Sequence, residues 1–265
     1  MTFPTRFPEA NALVDELLRR AQTILRDLFV GMYLFGSLTG TDFDEDSDID
    51  VLIVTEADLL APIFVALQTM HQQLANRDSY WAVNLEVSYI PRHSIRHYDP
   101  NDDTHPHLDR GKDETLQWLP HGSSWIVQRY VLYERGIALK GPVISTLIDP
   151  VSPDDLRVAM LSLIREWAAE LSQESAAPRQ RGGQSYIVLS MCRILYTLET
   201  GEVGSKRVAA RWAQKVLDSR WSPLIDRTWD SRHHPGMAAD AEDVVETIAF
   251  VRYTFDRCQA YAKSI

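Results

Sequence analysis

The fold is decided by one stretch of the chain, residues 34–54, which reads LFGSLTGTDFDEDSDIDVLIV. An apolar run ends at Gly36 and Ser37, and Asp48 and Asp50, separated by Ile49, stand at the start of a second run. Both runs are typical of short strands. Because residues two apart on a strand point to the same face, we expect the two carboxylates to converge on one point. Such a pair suits Mg²⁺, which is commonly held by one or two carboxylates together with substrate phosphates.

The surroundings of this carboxylate pair favour a catalytic role over a solvated turn. Gly36 permits close approach of the backbone, and Ser37 with the amides that follow it can bond the terminal phosphates of a nucleotide. Asp-x-Asp alone is a weak signal, and four further acids could make the segment a simple acidic turn: Asp42, Asp44, Glu45 and Asp46. The combination of Gly-Ser, Asp-x-Asp and a third carboxylate on a later strand favours catalysis. We interpret the four other acids as loop residues.

Hydrophobic periodicity predicts a mixed first half of the chain. The predicted elements are helices over residues 8–29 and 57–75, and strands over residues 30–35, 49–54 and 83–90. In the third strand Glu86 shares a face with Asn84 and Ser88, which makes it the candidate third carboxylate. The polar stretch of residues 91–122, rich in His, Asp and Pro, is expected to be a domain boundary or a substrate loop.

The second half of the chain is predicted to contain helices only. The predicted helices cover residues 123–136, 154–172, 185–199, 206–217 and 240–261. The predicted fold class is therefore α+β, with a small mixed sheet domain over residues 1–120 followed by an α-helical bundle domain over residues 121–265.

Composition and charge restrict the class of protein. The 265 residues are 45% hydrophobic and carry a formal net charge of −10, and they contain no Lys/Arg stripe for an extended nucleic-acid site. The excess of carboxylates would attract a cationic small molecule. We find no signal peptide and no run long enough to span a membrane, and Cys192 and Cys258 match neither a disulfide framework nor a metal-ligand spacing. We expect a reduced, monomeric, cytoplasmic protein.

Two segments carry a resemblance to a known superfamily. GSLTGTDFDEDSDID at residues 36–50, followed by LEVSYI at residues 85–90, resembles the nucleotidyltransferases to which polymerase-β-like enzymes belong. The whole chain is similar to the aminoglycoside adenylyltransferases that modify streptomycin and spectinomycin, which join a small mixed domain to a helical C-terminal domain. Three further stretches carry this narrower resemblance: ALKGP at residues 138–142, RILYTLETGEVGSK at residues 193–206 and VAARWA at residues 208–213.

The resemblance implies roles for the matching residues. Asp48 and Asp50 would bind one or two Mg²⁺ ions, and ATP would be held by Gly36, Ser37, Ser47, Arg193 and Lys206. Glu86 would deprotonate the acceptor hydroxyl, whereas in related polymerases the third carboxylate is a metal ligand, and the sequence leaves both roles open. Lys206 would supply a point charge for the nucleotide phosphates, and the helical domain would contribute to binding both nucleotide and acceptor.

The resemblance also implies an acceptor site. It places Trp118 and Trp167 against the acceptor, although a tryptophan on an amphipathic helix is often part of the core. After Trp167 the chain departs from the family pattern. Glu170 and Glu174 stand where the family carries aspartates, and the segment PRQRGG of residues 178–183 adds two arginines that would repel a polycation such as streptomycin.

The predicted function is Mg²⁺-dependent transfer of AMP from ATP to a hydroxyl of a small cationic acceptor, with release of pyrophosphate. The acceptor predicted first is an aminoglycoside or aminocyclitol antibiotic such as streptomycin or spectinomycin. One alternative is a nucleotidyltransferase that acts on a protein or RNA partner, which the acidic net charge disfavours. Another is a nucleotide-binding module without turnover, which the three carboxylates disfavour. The histidines within residues 91–122 lack zinc-ligand spacing, so we expect a solvated loop rather than a second metal site.

Overall fold

The computed structural model describes residues 5–40, 42–171 and 178–263. The chain divides into two compact units, Met1–Pro150 and Val151–Ile265. The first unit is built around a six-stranded mixed sheet, and the elements described in the second unit are helices. This arrangement confirms the predicted fold class, a sheet domain followed by a helical domain.

The sheet has the strand order β5-β4-β3-β2-β1-β6. The strands are β1 (Phe29–Leu34), β2 (Ile49–Thr55), β3 (Leu85–Pro91), β4 (Thr104–Leu108), β5 (Gln117–Pro120) and β6 (Ile137–Lys140). β2 and β3 are parallel, and the other neighbouring pairs are antiparallel. A parallel pair needs a long crossover connection, and the helix Ala61–Ala75 lies within it.

Helices cover both faces of the sheet. They are α1 (Pro8–Leu25), α2 (Ala61–Ala75), α3 (Tyr80–Val83), α4 (Arg92–Ile95) and α5 (Ser124–Arg135). The buried Val51 and Ile53 of β2 share one core cluster with α1 and α2. Leu52 points the other way, into a second cluster with Trp125 and Leu132 of α5. From Val51 to Val54 β2 is buried on both faces, and this continuous apolar run made the strand easy to predict.

Two strands lie inside the stretch that was predicted to be a boundary or a loop. β4 pairs with β3 through Val87 and Ser88, and β5 pairs with β4. The prediction of a loop over residues 91–122 was therefore wrong. β4 reads THPHL, and such a His- and Pro-containing segment has little strand propensity of its own, so its pairing with β3 fixes its conformation.

The first unit ends at Pro150, which differs from the boundary predicted at residue 120. β6 pairs with β1 and was missed by the prediction of helices only. The Tyr33 hydroxyl of β1 donates a hydrogen bond to the Pro142 carbonyl oxygen at 2.9 Å. Residues 121–150 thus complete the sheet and its core.

The described residues of the second unit form five α-helices: α6 (Pro153–Glu170), α7 (Arg181–Thr200), α8 (Lys206–Val216), α9 (Ser222–Ser231) and α10 (Ala241–Ala262). All four others pack against α7, which is the central helix of the unit. A capping box starts α6, in which the Ser152 hydroxyl accepts from the Asp155 backbone N–H at 3.1 Å. The short α9 was not predicted.

The two cysteines lie in the core of the helical unit. Cys192 and Cys258 are both free and buried. Burial raises the pKa of each thiol to about 12, which makes both unreactive at neutral pH. Within the described ranges, no helix is long and apolar enough to cross a membrane.

A fragment of residues 1–150 should unfold cooperatively, whereas a fragment of residues 1–120 should not. The shorter fragment lacks β6 and α5, so Tyr33 and Leu52 lose the apolar side chains that cover them. Each large apolar side chain exposed in this way costs about 1.5–3 kcal/mol, and small domains have little stability to lose. Thermal unfolding followed by far-UV circular dichroism measures the difference. Equal cooperative transitions in both fragments would contradict a boundary at Pro150.

Candidate active site

A tight turn at Gly36 follows β1 and starts a 3-10 helix over Gly36–Thr39. Gly36 has a φ of +65°, in the left-handed region that favours glycine. A Cβ atom at this position would overlap Oδ2 of Asp50. The Phe35 N–H donates to the Asp50 carbonyl oxygen at 3.2 Å, which ties the turn to the start of β2. Glycine is therefore required by the backbone and by the neighbouring carboxylate.

The loop before Asp48 is held by its own side chains. The Ser47 hydroxyl donates to Asp44 Oδ1 at 2.9 Å and accepts from the Asp44 backbone N–H at 3.0 Å. Asp44 Oδ1 also accepts from the Asp46 backbone N–H at 3.2 Å. Asp44 is thus a structural acid rather than a merely solvated one, and Ser47, which is buried, fixes the segment that leads to Asp48.

The register of the parallel strands brings the predicted carboxylates together. Asp50 of β2 lies directly opposite Glu86 of β3, on strands about 4.8 Å apart. Asp48 immediately precedes β2 and lies two residues from Asp50, on the same face. All three side chains are half-buried. The structure therefore places Asp48, Asp50, Glu86 and the turn at Gly36 at one end of the sheet.

Glu86 has a strongly raised pKa. Its burial and then the negative charges of Asp50, Asp109 and Asp48 raise the pKa to about 8, while Arg110 opposes the shift. The site thus holds more negative charge than its surroundings neutralise. This condition favours the binding of a cation among the carboxylates.

Arg110 is a member of the site that sequence analysis missed. Its Nη1 lies 2.5 Å from Oδ2 of Asp48 in a partly exposed ion pair. Arg110 follows β4, in a turn where the Gly111 N–H donates to the Val83 carbonyl oxygen at 2.7 Å. Because β4 was not predicted, its end could not be placed beside Asp48 from the sequence.

A row of histidines extends the site across β4. Ser88 Oγ and His107 Nδ1 are hydrogen-bonded at 2.9 Å, and His107 Nε2 lies 3.8 Å from Glu86 Oε1. The ring of His121 lies 5.5 Å from that of His107 and 4.8 Å from that of Trp125, between centroids. Burial lowers the pKa of His107, and it lowers the pKa of His121 to about 3. Both histidines are therefore packed rings that are neutral at neutral pH rather than residues of a solvated loop, and His107 lies beside Glu86.

The carboxylates fit a Mg²⁺ ion that shares its coordination with a nucleotide. In the part of the chain that the structure describes, no group of three or more His, Cys, Asp or Glu side chains could hold a metal ion by itself. Asp48 and Asp50 supply two carboxylates where negative charge is in excess. Mg²⁺ keeps several waters and takes phosphate oxygens as ligands, so two carboxylates suit it.

The structure does not bring Trp118 to the carboxylates. Its ring stacks on Phe64 of α2, with centroids 5.9 Å apart and planes at 14°. Gln117 lies opposite His107 in the β4–β5 register, so the next residue, Trp118, points to the other face of the sheet. That face is covered by α1 and α2, whereas Glu86 lies on the face covered by α5.

In the helical unit, Lys206, predicted to bind the nucleotide, and Trp167, predicted to bind the acceptor, both lie beside Tyr186. Lys206 Nζ lies 5.6 Å from the ring centroid of Tyr186, and the Tyr186 ring lies 5.6 Å from that of Trp167. Tyr186 is 46% exposed and was not predicted. Arg193 lies seven positions after Tyr186, which places both on one face of α7. An exposed tyrosine on a helix gives little signal in a single sequence.

The segment that departs from the family pattern is held by backbone hydrogen bonds. Within residues 178–183, the Arg181 N–H donates to the Met237 carbonyl oxygen at 2.8 Å. The segment is thus tied to the connection between α9 and α10. Glu174 and the side chain of Glu170 lie outside the described residues.

Two protein-domain families match separate parts of the chain. Residues 18–104 match the nucleotidyltransferase domain, and residues 146–256 match the C-terminal domain of aminoglycoside adenylyltransferases. The first match contains Gly36, Asp48, Asp50 and Glu86. The second contains Trp167, Tyr186, Arg193 and Lys206.

The individual proteins to which the chain is similar are adenylyltransferases, in agreement with the two domain matches. The chain is 26% identical over 250 residues to a spectinomycin 9-adenylyltransferase of Campylobacter jejuni, covering 91% of this chain and 92% of the relative. It is 30% identical over 122 residues to an aminoglycoside (3'') (9) adenylyltransferase of Rhizobium radiobacter, covering 45% of this chain and 43% of the relative. A crystal structure of spectinomycin adenyltransferase AAD(9) from Enterococcus faecialis with ATP and spectinomycin has a similar fold. Its TM-score is 0.71 at 15% identity, over 94% of this chain and 98% of that chain.

Replacing Gly36 by Ala should lower the free energy of unfolding by about 2 kcal/mol or more. The alanine would have to adopt a left-handed backbone conformation, and its Cβ atom would displace the Asp50 carboxylate. Gly40→Ala in the same turn is the matched control, because φ is −115° there and a Cβ would come no closer than 3.7 Å to other atoms. Urea unfolding measures both variants. A Gly36→Ala protein as stable as the Gly40→Ala protein would show that the turn tolerates a side chain.

Replacing Glu86 by Gln should stabilise the metal-free protein at alkaline pH. Below about pH 4.5 this carboxyl is protonated in both the folded and unfolded states. Between pH 4.5 and about 8 the unfolded chain has lost this proton while the folded chain retains it, so wild-type stability falls as pH rises. We expect the variant to gain about 2–4 kcal/mol at pH 8.5 in EDTA.

Chemical unfolding at pH 4.5 and at pH 8.5 measures this gain. Glu134→Gln, on an exposed position of α5, is the control and should show no such pH dependence. A variant with the same stability difference from wild type at both pH values would exclude a raised pKa for Glu86.

Proposed function

We propose that this chain, a nucleotidyltransferase, transfers AMP from ATP to a hydroxyl group of an aminocyclitol or aminoglycoside. Its sequence matches a nucleotidyltransferase domain followed by the C-terminal domain of the aminoglycoside adenylyltransferases. The observation that carries the proposal is the register of β2 and β3, which sets Glu86 beside Asp50. A carboxylate with a raised pKa next to a carboxylate pair suits a general base next to a cation site.

In this proposal Asp48 and Asp50 would hold one or two Mg²⁺ ions together with the nucleotide. When bound, Mg²⁺ neutralises phosphate charge and favours attack at the α-phosphorus. The Arg110 side chain, which is paired with Asp48 and 42% exposed, would leave Asp48 free to hold the ion by turning toward solvent. Gly36 keeps the backbone close to Asp50, so that the amides after it and the half-exposed Ser37 can hold the terminal phosphates.

Glu86 acts as the base in the proposed step. One of its carboxylate oxygens accepts the proton of the acceptor hydroxyl as the hydroxyl oxygen forms a bond to the α-phosphorus. The bond from that phosphorus to the oxygen bridging the β-phosphorus breaks, and its electron pair leaves with pyrophosphate. The role of this chain is to position the hydroxyl, hold the phosphates and take one proton.

The roles of Arg193 and Lys206 toward the nucleotide, and of Ser47, stay predictions based on the resemblance. The hydrogen bonds of Ser47 within its own loop support a positioning role for Asp48. The cation of Lys206 beside Tyr186 supports a ligand surface on the helical unit. Trp118 is left out of the proposed acceptor site because it packs on α2.

Spectinomycin is the acceptor that we propose first. The relative matched over nearly its whole length is named for spectinomycin, whereas the match to the aminoglycoside (3'') (9) enzyme covers less than half of each chain. Trp167 and Tyr186 offer aromatic faces for the apolar side of a ring-shaped ligand. The two arginines of residues 178–183 disfavour a polycation such as streptomycin, while the net charge of −10 still attracts a smaller cation.

The test is pyrophosphate release from Mg²⁺-ATP by the purified protein, with spectinomycin, streptomycin and other aminocyclitols and aminoglycosides offered singly. We expect release with spectinomycin and the addition of one AMP to the drug, measured by mass spectrometry. Glu86→Gln should lower kcat by about 10²-fold or more and leave ATP affinity nearly unchanged, because only the proton acceptor is lost. Asp50→Asn should weaken Mg²⁺-ATP binding itself, and Glu134→Gln is the unaffected control.

The other outcomes separate the alternatives. Loss of Mg²⁺-ATP binding in Glu86→Gln would make Glu86 a metal ligand instead of the base. A wild-type protein that binds ATP and stays inactive with every drug would overturn the small-molecule acceptor and point to a protein or RNA partner.

A further inference from the structure

His107 lies where it can control the orientation of Glu86. It faces Ser88 across the β3–β4 pair, and Glu86 lies two residues before Ser88 on the same face of β3. One ring nitrogen, Nδ1, is 2.9 Å from Ser88 Oγ, and the other, Nε2, is 3.8 Å from Glu86 Oε1. The imidazole therefore bridges a buried hydroxyl and the carboxylate proposed as the base.

The chemistry of the two neighbours selects one tautomer of the ring. An ionised carboxylate only accepts hydrogen bonds, so Nε2 has to carry the proton if the ring is to bond Glu86. Nδ1 then accepts, and the Ser88 hydroxyl can donate to it. Ser88 is 2% exposed, and the His121 ring packs edge-on against His107, so the ring is confined on both sides.

We propose that His107, held by Ser88, is a positioning residue that donates from Nε2 to Glu86 Oε1 and thereby leaves Oε2 to accept the proton of the acceptor hydroxyl. This inference rests on the proposed role of Glu86 as the base. The separation of 3.8 Å shortens to a hydrogen bond in the reacting complex, as catalytic hydrogen bonds commonly do on ligand binding. His107 does not meet the reacting atoms, and it acts only through Glu86.

A matched pair of substitutions tests the proposal. In His107→Gln the side-chain amide reaches the place of Nε2 and can still donate to Glu86, whereas in His107→Asn the amide reaches only the place of Nδ1. We expect His107→Gln to keep kcat within about 3-fold of wild type and His107→Asn to lose about 10–100-fold, with KM for ATP and for the acceptor nearly unchanged in both. His97→Asn, on an exposed position of the same unit, is the control.

The outcomes distinguish this inference from the proposed function. A wild-type protein inactive with every acceptor would overturn the function, whereas an active wild type with equal kcat in the Gln and Asn variants would overturn the positioning role alone. A rise in KM without a fall in kcat would also overturn it, because a defect confined to binding does not pass through the base.

Nitrogen-detected NMR of the His107 ring supplies a readout that needs neither transfer activity nor a folded variant. At pH 9, where Glu86 is ionised, we expect the proton of the wild-type ring on Nε2. A ring protonated on Nδ1 under these conditions would overturn the proposal, whatever the variants show.

Discussion

The sheet unit depends on the register of β2 and β3, which sets carboxylates of two neighbouring parallel strands side by side. Asp50 and Glu86 face each other on β2 and β3, and Asp48 lies two residues before Asp50. Two unit charges about 5 Å apart would repel by about 3 kcal/mol at an effective dielectric constant of 20, and this repulsion, together with burial, raises the pKa of Glu86 to about 8. The strands stay in register because the residues that follow the carboxylates, such as Val51 and Leu52, are fully buried on opposite faces of the sheet. Apolar burial therefore holds together carboxyl groups whose simultaneous ionisation costs free energy in the absence of a cation.

The neighbours of the carboxylates limit this electrostatic cost and fix the geometry. Gly36 lets the backbone pass beside Asp50, and the Asp44–Ser47 hydrogen bonds hold the loop before Asp48. Arg110 supplies one positive charge to Asp48 from the turn after β4. His107 stands beside Glu86, and burial lowers the pKa of its ring, so it adds no charge to the cluster at neutral pH. These neighbours come from three segments of the chain, which are the turn at Gly36, the loop before β2 and the end of β4 with the turn after it. A shift of any one segment would displace a carboxylate.

The sequence was sufficient for the central strands and for the carboxylates. β2 is buried on both faces and reads as an apolar run, and strand periodicity alone puts Asp48 and Asp50 on one side and Glu86 on a polar face. The strands β4, β5 and β6 were missed because they are short, and β4 and β5 are rich in His, Trp and Pro, so partners rather than propensity define them. Arg110 and His107 were missed for the same reason, since both depend on where β4 lies. Trp118 was placed at the acceptor by resemblance, and its stacking on Phe64 depends on the face that β5 presents.

The sequence by itself determined which carboxylates lie at the candidate site, because the spacing of Gly36, Asp48 and Asp50 and the strand that carries Glu86 follow from local periodicity. It also determined the division into a sheet part and a helical part, since the hydrophobic period changes along the chain. Only the tertiary structure decided which residues surround the carboxylates and that Tyr186 lies between Trp167 and Lys206. These contacts join segments that are far apart in the chain. The free energy of packing fixes them, and that energy belongs to the whole fold and leaves no pattern in any short stretch of sequence.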